Sequence, residues 1–441
     1  MKSSLKDNFC SSPWFHIRIN PEGNYVPCRW DFSLTMSEYN VRNTSLSGYM
    51  NSDIMKTLRL DLLNGQPPAT CRSCRAEEQY GKVNGRQRQL LKSAITLDNF
   101  EKTLCASPHW DWFNHSNNNQ GHTDNLPVDL QIDLGNTCNS ACIMCYPISS
   151  SRLITDYKKL HKIEPLLFHN PNTVNNWADD PVLVDKFVSE LATLPNIKYI
   201  HFLGGETLYL KSFYTICNKL IENGIAKNVS IGTTTNCTVY TPELEHIIKN
   251  FKHVHLGLSV EAIHPINDYI RWPSQIDGIV DVMKKFIILR GSTDLHLSLR
   301  ITPSIFTISQ IDTLFEFMIK NSIIAESCNL LQDPSCLRIE LLPKDLADKV
   351  IDKIDQVIIK YNLNKSAESL INRRNDNIKN LVIADVIFEY KNLLETMQAP
   401  KNAEEERYNL VKFVKAFESI RNNKILDYLP EYEKFLRSYG Y

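Results

Sequence analysis

The sequence of 441 residues lacks three features that would place it in a membrane, outside the cell or on nucleic acid. It has no apolar run near the roughly 20 residues that a membrane-crossing helix needs. Its first residues show no apolar stretch followed by a small-residue cleavage site, as a secretory signal would. Its formal net charge of −1 gives no overall attraction to nucleic acid or anionic lipid. We therefore expect a cytoplasmic protein that acts on neither membrane nor nucleic acid.

Cysteine, by contrast, is plentiful, and the chain has 12. In a reducing compartment, metal or cluster ligation explains so many thiols better than disulfides do. Cys138, Cys142 and Cys145 form a Cys-x3-Cys-x2-Cys run directly after the alternating apolar stretch 128–134. A 4Fe-4S cluster takes four ligands, so three thiolates leave one iron open to a chelating ligand. A structural zinc site, or thiols packed as small apolar side chains, is the alternative.

Strand and helix patterns alternate after residue 128, which is typical of a parallel α/β sheet or barrel. Thr241 followed by Pro242 and Glu243 predicts a helix start, and Gly224 after Asn223 predicts a helix end. The reactive groups of such barrels lie at the carboxyl ends of the strands, which is where the three cysteines stand. The predicted strands are 128–134, 197–203, 229–235, 254–260, 295–302 and 337–342.

The three cysteines resemble the signature of the radical S-adenosylmethionine (SAM) enzymes, in which the amino and carboxylate groups of SAM occupy the open iron. Further elements resemble that family at successive predicted strand ends. Gly204-Gly205-Glu206 is similar to the GGE motif that binds the SAM amino group, with an ordinary glycine turn as the alternative. The resemblance implies a cofactor-binding role for Met144, Gly204, Gly205, Glu206, Thr235, Asn236, Ser259, Glu261, Arg271 and Arg300.

Three of these residues depart from the family pattern or have an alternative role. Glu261 stands where the family often has aspartate, and would accept hydrogen bonds from ribose hydroxyls. Arg271 belongs to a Tyr-x-Arg element, with an exposed run at the start of a helix as the alternative. Arg300 is suited to the SAM carboxylate, or equally to a buried ion pair.

The resemblance implies a partial (β/α)6 barrel of the TIM type. It also implies that the protein reductively cleaves SAM to a 5′-deoxyadenosyl radical, which abstracts hydrogen from a substrate carbon. A flavodoxin or ferredoxin would serve as electron donor.

A second set of cysteines occupies the amino-terminal part of the chain: Cys10, Cys28, Cys71 and Cys74. Cys-x-x-Pro-Trp at residue 10, a Pro-x-Gly turn and a late Cys-x-x-Cys make this stretch resemble the twitch or SPASM module of radical SAM maturases. That resemblance implies an auxiliary 4Fe-4S cluster, and four thiolates suffice to close its coordination. A structural zinc knuckle on the same thiolates is the alternative. The module here precedes the barrel, whereas the commonest order is the reverse.

These features predict four regions and a substrate class. The regions are a twitch-like cluster domain at 1–78, a helical and polar linker at 79–127, the radical SAM barrel at 128–343 and a helical carboxyl-terminal region at 344–441. The resembling module implies oxidative modification of a peptide or protein. The alternatives are a small metabolite such as a sugar, nucleoside or aminoglycoside and, from another class, a non-catalytic iron-sulfur or zinc protein.

The remaining cysteines belong to neither set, and most are expected to pack as small apolar side chains. Cys217 has helical spacing with apolar neighbours, which predicts a core position. Cys237 and Cys336 are hypothetical hydrogen donors, since a radical epimerase needs a thiol opposite the site of abstraction. The others are Cys105 and Cys328.

Overall fold

The computed structural model describes residues 5–28, 38–79, 84–194, 196–325, 330–364 and 383–441. Cys328 lies outside the described residues. Within them, no helix is both long and apolar enough to cross a membrane.

Eight described strands form one sheet. They are β1 His16–Ile19, β2 Tyr25–Val26, β3 Asp129–Asp133, β4 Tyr199–Leu203, β5 Ser230–Thr235, β6 His253–Leu258, β7 Leu295–Leu299 and β8 Ile324–Ala325. Their order is β2-β1-β3-β4-β5-β6-β7-β8, and the first pair is antiparallel. All other neighbours are parallel, including β1 with β3. The expected parallel α/β architecture is therefore confirmed.

The helices fall into three groups along the chain. The amino-terminal group is α1 Leu5–Asn8, α2 Ser12–Phe15, α3 Leu46–Met50, α4 Asp53–Leu63, α5 Arg72–Gln79, α6 Gly85–Lys92, α7 Phe100–Cys105 and α8 Trp110–Asn118. The barrel group is α9 Arg152–Ile163, α10 Pro181–Leu191, α11 Lys211–Glu222, α12 Pro242–Asn250, α13 Ile266–Ile270, α14 Ile276–Arg290 and α15 Ile311–Asn321. The carboxyl-terminal group is α16 Lys344–Lys360, α17 Ile383–Thr396, α18 Ala403–Arg421, α19 Ile425–Tyr428 and α20 Glu433–Ser438.

Local sequence signals explain where several barrel helices begin and end. Thr241 accepts a hydrogen bond from the Leu244 backbone N–H at 3.1 Å, and Pro242 takes the first turn of α12, as predicted. Gly224 adopts a positive φ of 69° just after α11, where a left-handed residue ends a helix at no steric cost. Short connections then return the chain to the next parallel strand.

The sixth predicted strand is wrong. Residues 337–342 form parts of two 3-10 turns, Ser335–Leu337 and Ile339–Leu341, whose backbone bonds are local. Alternating apolar residues do not by themselves distinguish a strand from a short buried turn. The sixth barrel strand is instead β8, whose two residues are too few to leave a periodic pattern.

Residues 114–125 are the most polar part of the linker predicted at 79–127, and they are partly helical. Its first residues complete α8, where Phe113 and Ser116 face inward. The Trp14 indole N–H donates to Ser116 Oγ at 2.9 Å. A single buried hydroxyl and an apolar neighbour are enough to keep a polar segment helical against the core.

Two apolar cores hold the molecule together. The larger core lies under the sheet and includes Ile17 and Ile19 of β1, so the amino-terminal hairpin shares the barrel core. The smaller core is aromatic and centres on Phe9, Trp14 and Phe113, with ring centroids 5.0 to 5.8 Å apart. The amino-terminal region is thus joined to the barrel by both sheet and core.

Candidate cluster and cofactor site

Strand register divides the sheet into an apolar face and a polar face. On β3, Leu130 and Ile132 belong to the core, so Asp129, Gln131 and Asp133 project from the opposite side. The residues paired with these three on successive neighbouring strands continue the polar face across the sheet. Its members include Arg18, Tyr199, His201, Gly232, Thr234, His255, Gly257, His296 and Ser298.

The polar face carries paired charges rather than isolated ones. Arg18 donates from Nη2 to Asp133 at 2.7 Å, and His16 Nδ1 lies 3.2 Å from Asp129. Lys92 also pairs with Asp129. Burial alone would raise the pKa of the Asp129 carboxyl, but its interactions with His16 and Lys92 hold that pKa well below the usual range.

The cysteine loop, residues 138–145, follows the carboxyl end of β3. Two backbone hydrogen bonds tie it to the end of α13 and the residues that follow, from Ala141 N–H to the Trp272 carbonyl at 2.7 Å and from Ile143 N–H to the Ile270 carbonyl at 2.9 Å. Asn136 Nδ2 donates to the Pro147 carbonyl at 2.9 Å, across the base of the loop. The loop shape is therefore fixed by segments far away in the sequence.

The three thiols of this loop converge. The thiols of Cys142 and Cys145 are hydrogen-bonded, which lowers the pKa of Cys142, and the nearby Arg271 guanidinium lowers it further. Arg271 Nη1 donates to Cys142 Sγ at 3.9 Å, and the Ser140 N–H donates to Cys138 Sγ at 3.4 Å. Burial raises the pKa of Cys138 to about 11. Three convergent thiols with N–H groups aimed at their sulfurs fit an iron-sulfur ligand set.

Gly204 and Gly205 bring the end of β4 against the backbone that leads into the cysteine loop. A Cβ atom on Gly204 would lie 2.8 Å from the Gly135 carbonyl oxygen, and one on Gly205 would clash with the Thr137 carbonyl. The Glu206 N–H donates to Thr137 O at 3.1 Å. The two glycines are therefore needed because the ends of two strands approach too closely for a Cβ atom, which is not a requirement of an ordinary turn.

Glu206 is buried at this junction with a relative exposure of 1%. Its carboxylate accepts hydrogen bonds from the Asn236 N–H at 2.6 Å and the Leu208 N–H at 3.2 Å. Burial nevertheless raises the pKa of Glu206 to about 7. The Asn236 side chain donates in turn to Ser140 Oγ at 3.0 Å. Glu206 and Asn236, two predicted cofactor residues, are therefore brought to the cysteine loop.

Glu261 and Arg271 are paired with each other. The Arg271 guanidinium donates to one carboxylate oxygen of Glu261, and the Thr302 N–H donates to the other at 2.7 Å. Glu261 has no exposed surface. The sequence indicated both residues but not their pairing, and it is this pair that sets Arg271 beside Cys142.

Arg300 lies across the polar face just beyond β7. A Cβ atom on Gly257 would lie 2.8 Å from both Cγ and Nε of Arg300, and 3.2 Å from Oγ1 of Thr234. Gly257 therefore makes room for the arginine. Ser259 and Met144, also predicted as cofactor residues, are half-buried, and Thr235 accepts from the Cys237 N–H at 3.1 Å.

The second cysteine set also converges. Burial raises the pKa of Cys10, and the neighbouring thiols of Cys28, Cys71 and Cys74 raise it further, which requires all four to be close. Four clustered thiols fit a closed iron-sulfur site and equally a zinc site.

Arg86 holds the segments of this second set together. Its Nη2 and Nε each donate to Glu78 of α5 at 2.7 Å, and its Nη1 donates to the Phe9 carbonyl at 3.1 Å, one residue before Cys10. The density of basic residues at 82–92 predicts a solvated helix face. That prediction is wrong for Arg86, which is 6% exposed.

Cys237 and Cys336 are both buried, as is Cys217 in α11. Cys237 has a φ of 59° after β5, and its thiol lies 3.7 Å from the Thr235 carbonyl oxygen. Cys336 lies in the 3-10 turn Ser335–Leu337. Of these two cysteines, only Cys237 lies just after a strand and next to predicted cofactor residues.

Arg421, at the end of α18, is a site residue that could not be recognised from the sequence; its Nη2 donates to the Ala141 carbonyl at 2.6 Å. Its only signal was a basic residue in the last turn of an amphipathic helix, which is commonplace.

Comparison with known proteins assigns this architecture. Residues 132–300 match the model of the radical SAM superfamily, and residues 10–75 match that of an iron-sulfur cluster-binding domain, SPASM. No curated protein matches the chain significantly. A crystal structure of Streptococcus suis SuiB bound to S-adenosylmethionine is 16% identical over 82% of this chain and 73% of that chain, with a TM-score of 0.37. SuiB bound to the precursor peptide SuiA is 15% identical over 83% and 78%, with a TM-score of 0.36.

The two domain matches define the class: the protein is a radical SAM enzyme. It carries a SPASM-type domain at its amino terminus, as the cysteine spacing predicted. Its cofactors are therefore SAM, a 4Fe-4S cluster that binds it and an auxiliary cluster. The match leaves the non-catalytic alternative without support.

Proposed function

We propose that Cys138, Cys142 and Cys145 ligate the SAM-binding cluster, and that the strand ends around Glu206 hold SAM. When bound, the cluster supplies the electron that cleaves SAM to a 5′-deoxyadenosyl radical, which abstracts hydrogen from substrate. The buried Glu206 carboxylate accepts from the SAM ammonium. Arg300 binds the carboxylate, and Thr235, Asn236 and Ser259 face the ribose.

In this proposal Cys10, Cys28, Cys71 and Cys74 ligate the auxiliary cluster at the opposite end of the sheet. Cys10 comes before β1, and Cys28 follows the antiparallel β2, so both lie at the amino end of β1. The cysteine loop lies at the carboxyl end of β3, the parallel neighbour of β1. The five residues of β3 span about 16 Å at roughly 3.3 Å per residue.

The substrate then lies on the polar face, between the two cysteine sets. The observation that carries the proposal is that the two cysteine sets lie at opposite ends of neighbouring strands. A substrate between them would have an electron acceptor on the side away from the site of hydrogen abstraction. Because the charged side chains of the polar face are paired, water can be excluded from them without leaving an isolated buried ion. This suits an active site that excludes water.

We propose a peptide or protein as substrate and a net oxidation as the reaction. The SPASM match supports this class. The strands leave the sheet unclosed, since β2 and β8 are edges within the described residues, and an open edge admits an extended chain.

The test uses the reduced, cluster-loaded protein with SAM and measures 5′-deoxyadenosine. Pools of synthetic peptides and of small metabolites are added separately, and products are analysed by mass spectrometry. We expect peptides to stimulate 5′-deoxyadenosine formation and to lose two hydrogens. Stimulation by sugars, nucleosides or aminoglycosides alone would establish the small-metabolite alternative.

A further inference from the structure

The carboxyl-terminal region reaches the cysteine loop through Arg421. Arg421 is the last residue of α18, and its side chain is only 2% exposed. Besides Ala141, its Nη2 donates to Asp156 Oδ2 at 2.8 Å, and its Nε donates to the same oxygen at 3.2 Å. Ala141 directly precedes Cys142.

An aromatic ring extends this contact. The guanidinium carbons of Arg421 and Arg152 each lie over the Trp272 ring, 5.1 Å from its centroid. Arg152 Nη1 donates to the Asn139 carbonyl at 3.1 Å, and Ala141 donates to Trp272 itself. Two arginines and one indole therefore hold the backbone between Cys138 and Cys142.

The guanidinium of Arg421 is only partly hydrogen-bonded. Asp156 accepts from Nε and Nη2, while Nη1 is buried without a hydrogen-bond partner among the described residues. The hydrogen bond to the Ala141 carbonyl places the guanidinium at the residue before Cys142. Its positive charge therefore lies beside the cysteine loop.

We propose that Arg421 is a positioning residue for the SAM-binding cluster, which fixes the cysteine loop and raises the reduction potential of that cluster. The inference rests on the ligand set in the proposed function. Reduction adds negative charge at the cysteines, and a buried cation nearby stabilises the reduced form more than the oxidised form.

The test measures the midpoint potentials of both clusters by an EPR-monitored redox titration of the loaded protein. We expect Arg421→Met to shift the potential of the SAM-binding cluster to a more negative value and to leave that of the auxiliary cluster unchanged. Arg421→Lys restores most of the potential, because it keeps the charge. Arg437→Met is the matched control, since Arg437 is exposed and pairs only with Glu433 among its described contacts.

Equal potentials in Arg421→Met and the parent, or equal shifts in both clusters, would overturn this role. Should Arg421→Met fail to fold, Asp156→Asn replaces it, and loss of that anion is expected to shift the potential to a more positive value. A parent protein that loads no cluster on Cys138, Cys142 and Cys145, or never cleaves SAM, would refute the proposed function instead.

A separate group of side chains outside both cysteine sets has the composition of a metal site. His115, His122 and Asp124 each offer a ligand atom, and these atoms lie within 4.8 Å of one another. Asp124 lies 3.3 Å from His115 Nε2 and 3.6 Å from His122 Nδ1. The three residues line an open cavity of about 530 Å³.

The backbone beneath this group is rigidly held. The buried Arg59 donates from Nη1 to the Gly121 carbonyl at 2.9 Å, and Gly121 has a φ of 82°. Thr123 and Asn51 exchange two hydrogen bonds, at 3.0 and 2.8 Å. The turn between the two histidines is therefore fixed before any ligand binds.

We infer that His115, His122 and Asp124 form a surface site for a divalent metal of the Zn²⁺ type, for which two imidazoles and one carboxylate are a suitable ligand set. In the cluster-loaded protein dialysed against Zn²⁺, we expect one more zinc per chain in the parent than in the His115→Ala/His122→Ala variant. The exposed His246→Ala serves as control and keeps the parent value. Equal zinc in the parent and the double variant would overturn the site.

Discussion

The two cysteine sets are built on different principles. The cysteine loop packs three thiols into one short segment, held by backbone hydrogen bonds to residues 270 and 272 and by Arg421. The second set draws Cys10, Cys28, Cys71 and Cys74 from separate segments, which a single arginine, Arg86, links through Glu78 and Phe9. Local spacing brings the thiols of the first site together and distant segments then hold the loop, whereas in the second site tertiary packing alone brings the thiols together.

This difference predicts which site is more sensitive to the loss of one side chain. A short loop with several backbone anchors keeps its shape when one side chain is lost. A site assembled from distant segments depends on each side chain that bridges them. The following changes are ordered by the size of the effect that we expect.

The largest effect should come from removing one thiol of each set. Cys142→Ala should abolish 5′-deoxyadenosine formation and lower iron from about eight to about four per chain. Cys10→Ala should lose a similar amount of iron but keep SAM cleavage, with loss of the oxidised product. Iron analysis and the nucleoside assay measure both, and Cys217→Ala in the core is the control. Abolished SAM cleavage in Cys10→Ala would show that the two sites are not separate.

Arg86→Met should damage the second set far more than the first. It leaves Glu78 without its cation and removes the link to Phe9, and breaking a buried pair costs about 3–5 kcal/mol. We expect auxiliary iron to be lost and the denaturant midpoint to fall, while the SAM-binding cluster remains. Lys284→Met, on an exposed pair with Asp281, should change neither. Retention of both clusters in Arg86→Met would contradict the proposed dependence on side-chain bridges.

Glu206→Gln should weaken SAM binding about tenfold or more, as loss of a hydrogen bond to a charged group does. Because burial raises the pKa of Glu206 to about 7, the residue is neutral below that pH and a carboxylate above it. SAM affinity in the parent should therefore rise as pH increases through 7. Binding measured calorimetrically in Glu206→Gln should lack that rise. The same pH dependence in both proteins would exclude Glu206 as the titrating acceptor.

The smallest effect should follow Cys237→Ala and Cys336→Ala. Both thiols are buried, and that of Cys237 is directed at the Thr235 carbonyl. We expect unchanged product and a loss of stability of about 1 kcal/mol from each small cavity. Product analysis with intact SAM cleavage gives the answer, and loss of product in either variant would establish a hydrogen donor.

The sequence predicted the motifs better than the contacts between them. Spacing identified both cysteine sets, and strand ends identified Glu206 and Asn236, because short motifs record local geometry. Five of six predicted barrel strands are present. β8 was missed because two residues show no periodicity, and 337–342 was misread because buried turns can alternate like strands.

Pairings between residues of different segments could not be predicted, because they leave no pattern in the sequence. The Glu261 and Arg271 pair, the Arg86 bridge and the Arg421 contact with Ala141 join segments 8 to 280 residues apart. Each is a charged residue of ordinary appearance in its own segment. Only the folded chain shows which carboxylate or carbonyl it meets.

The pairing of β1 with β3 has a consequence for anyone wishing to dissect this enzyme. A truncated version beginning near residue 128 would leave Asp129–Asp133 as a bare sheet edge, inviting intermolecular association. The truncation would also remove Lys92, His16 and Arg18, which pair with Asp129 and Asp133. Two buried carboxylates would then lack their partners. The catalytic barrel is therefore not an excisable unit.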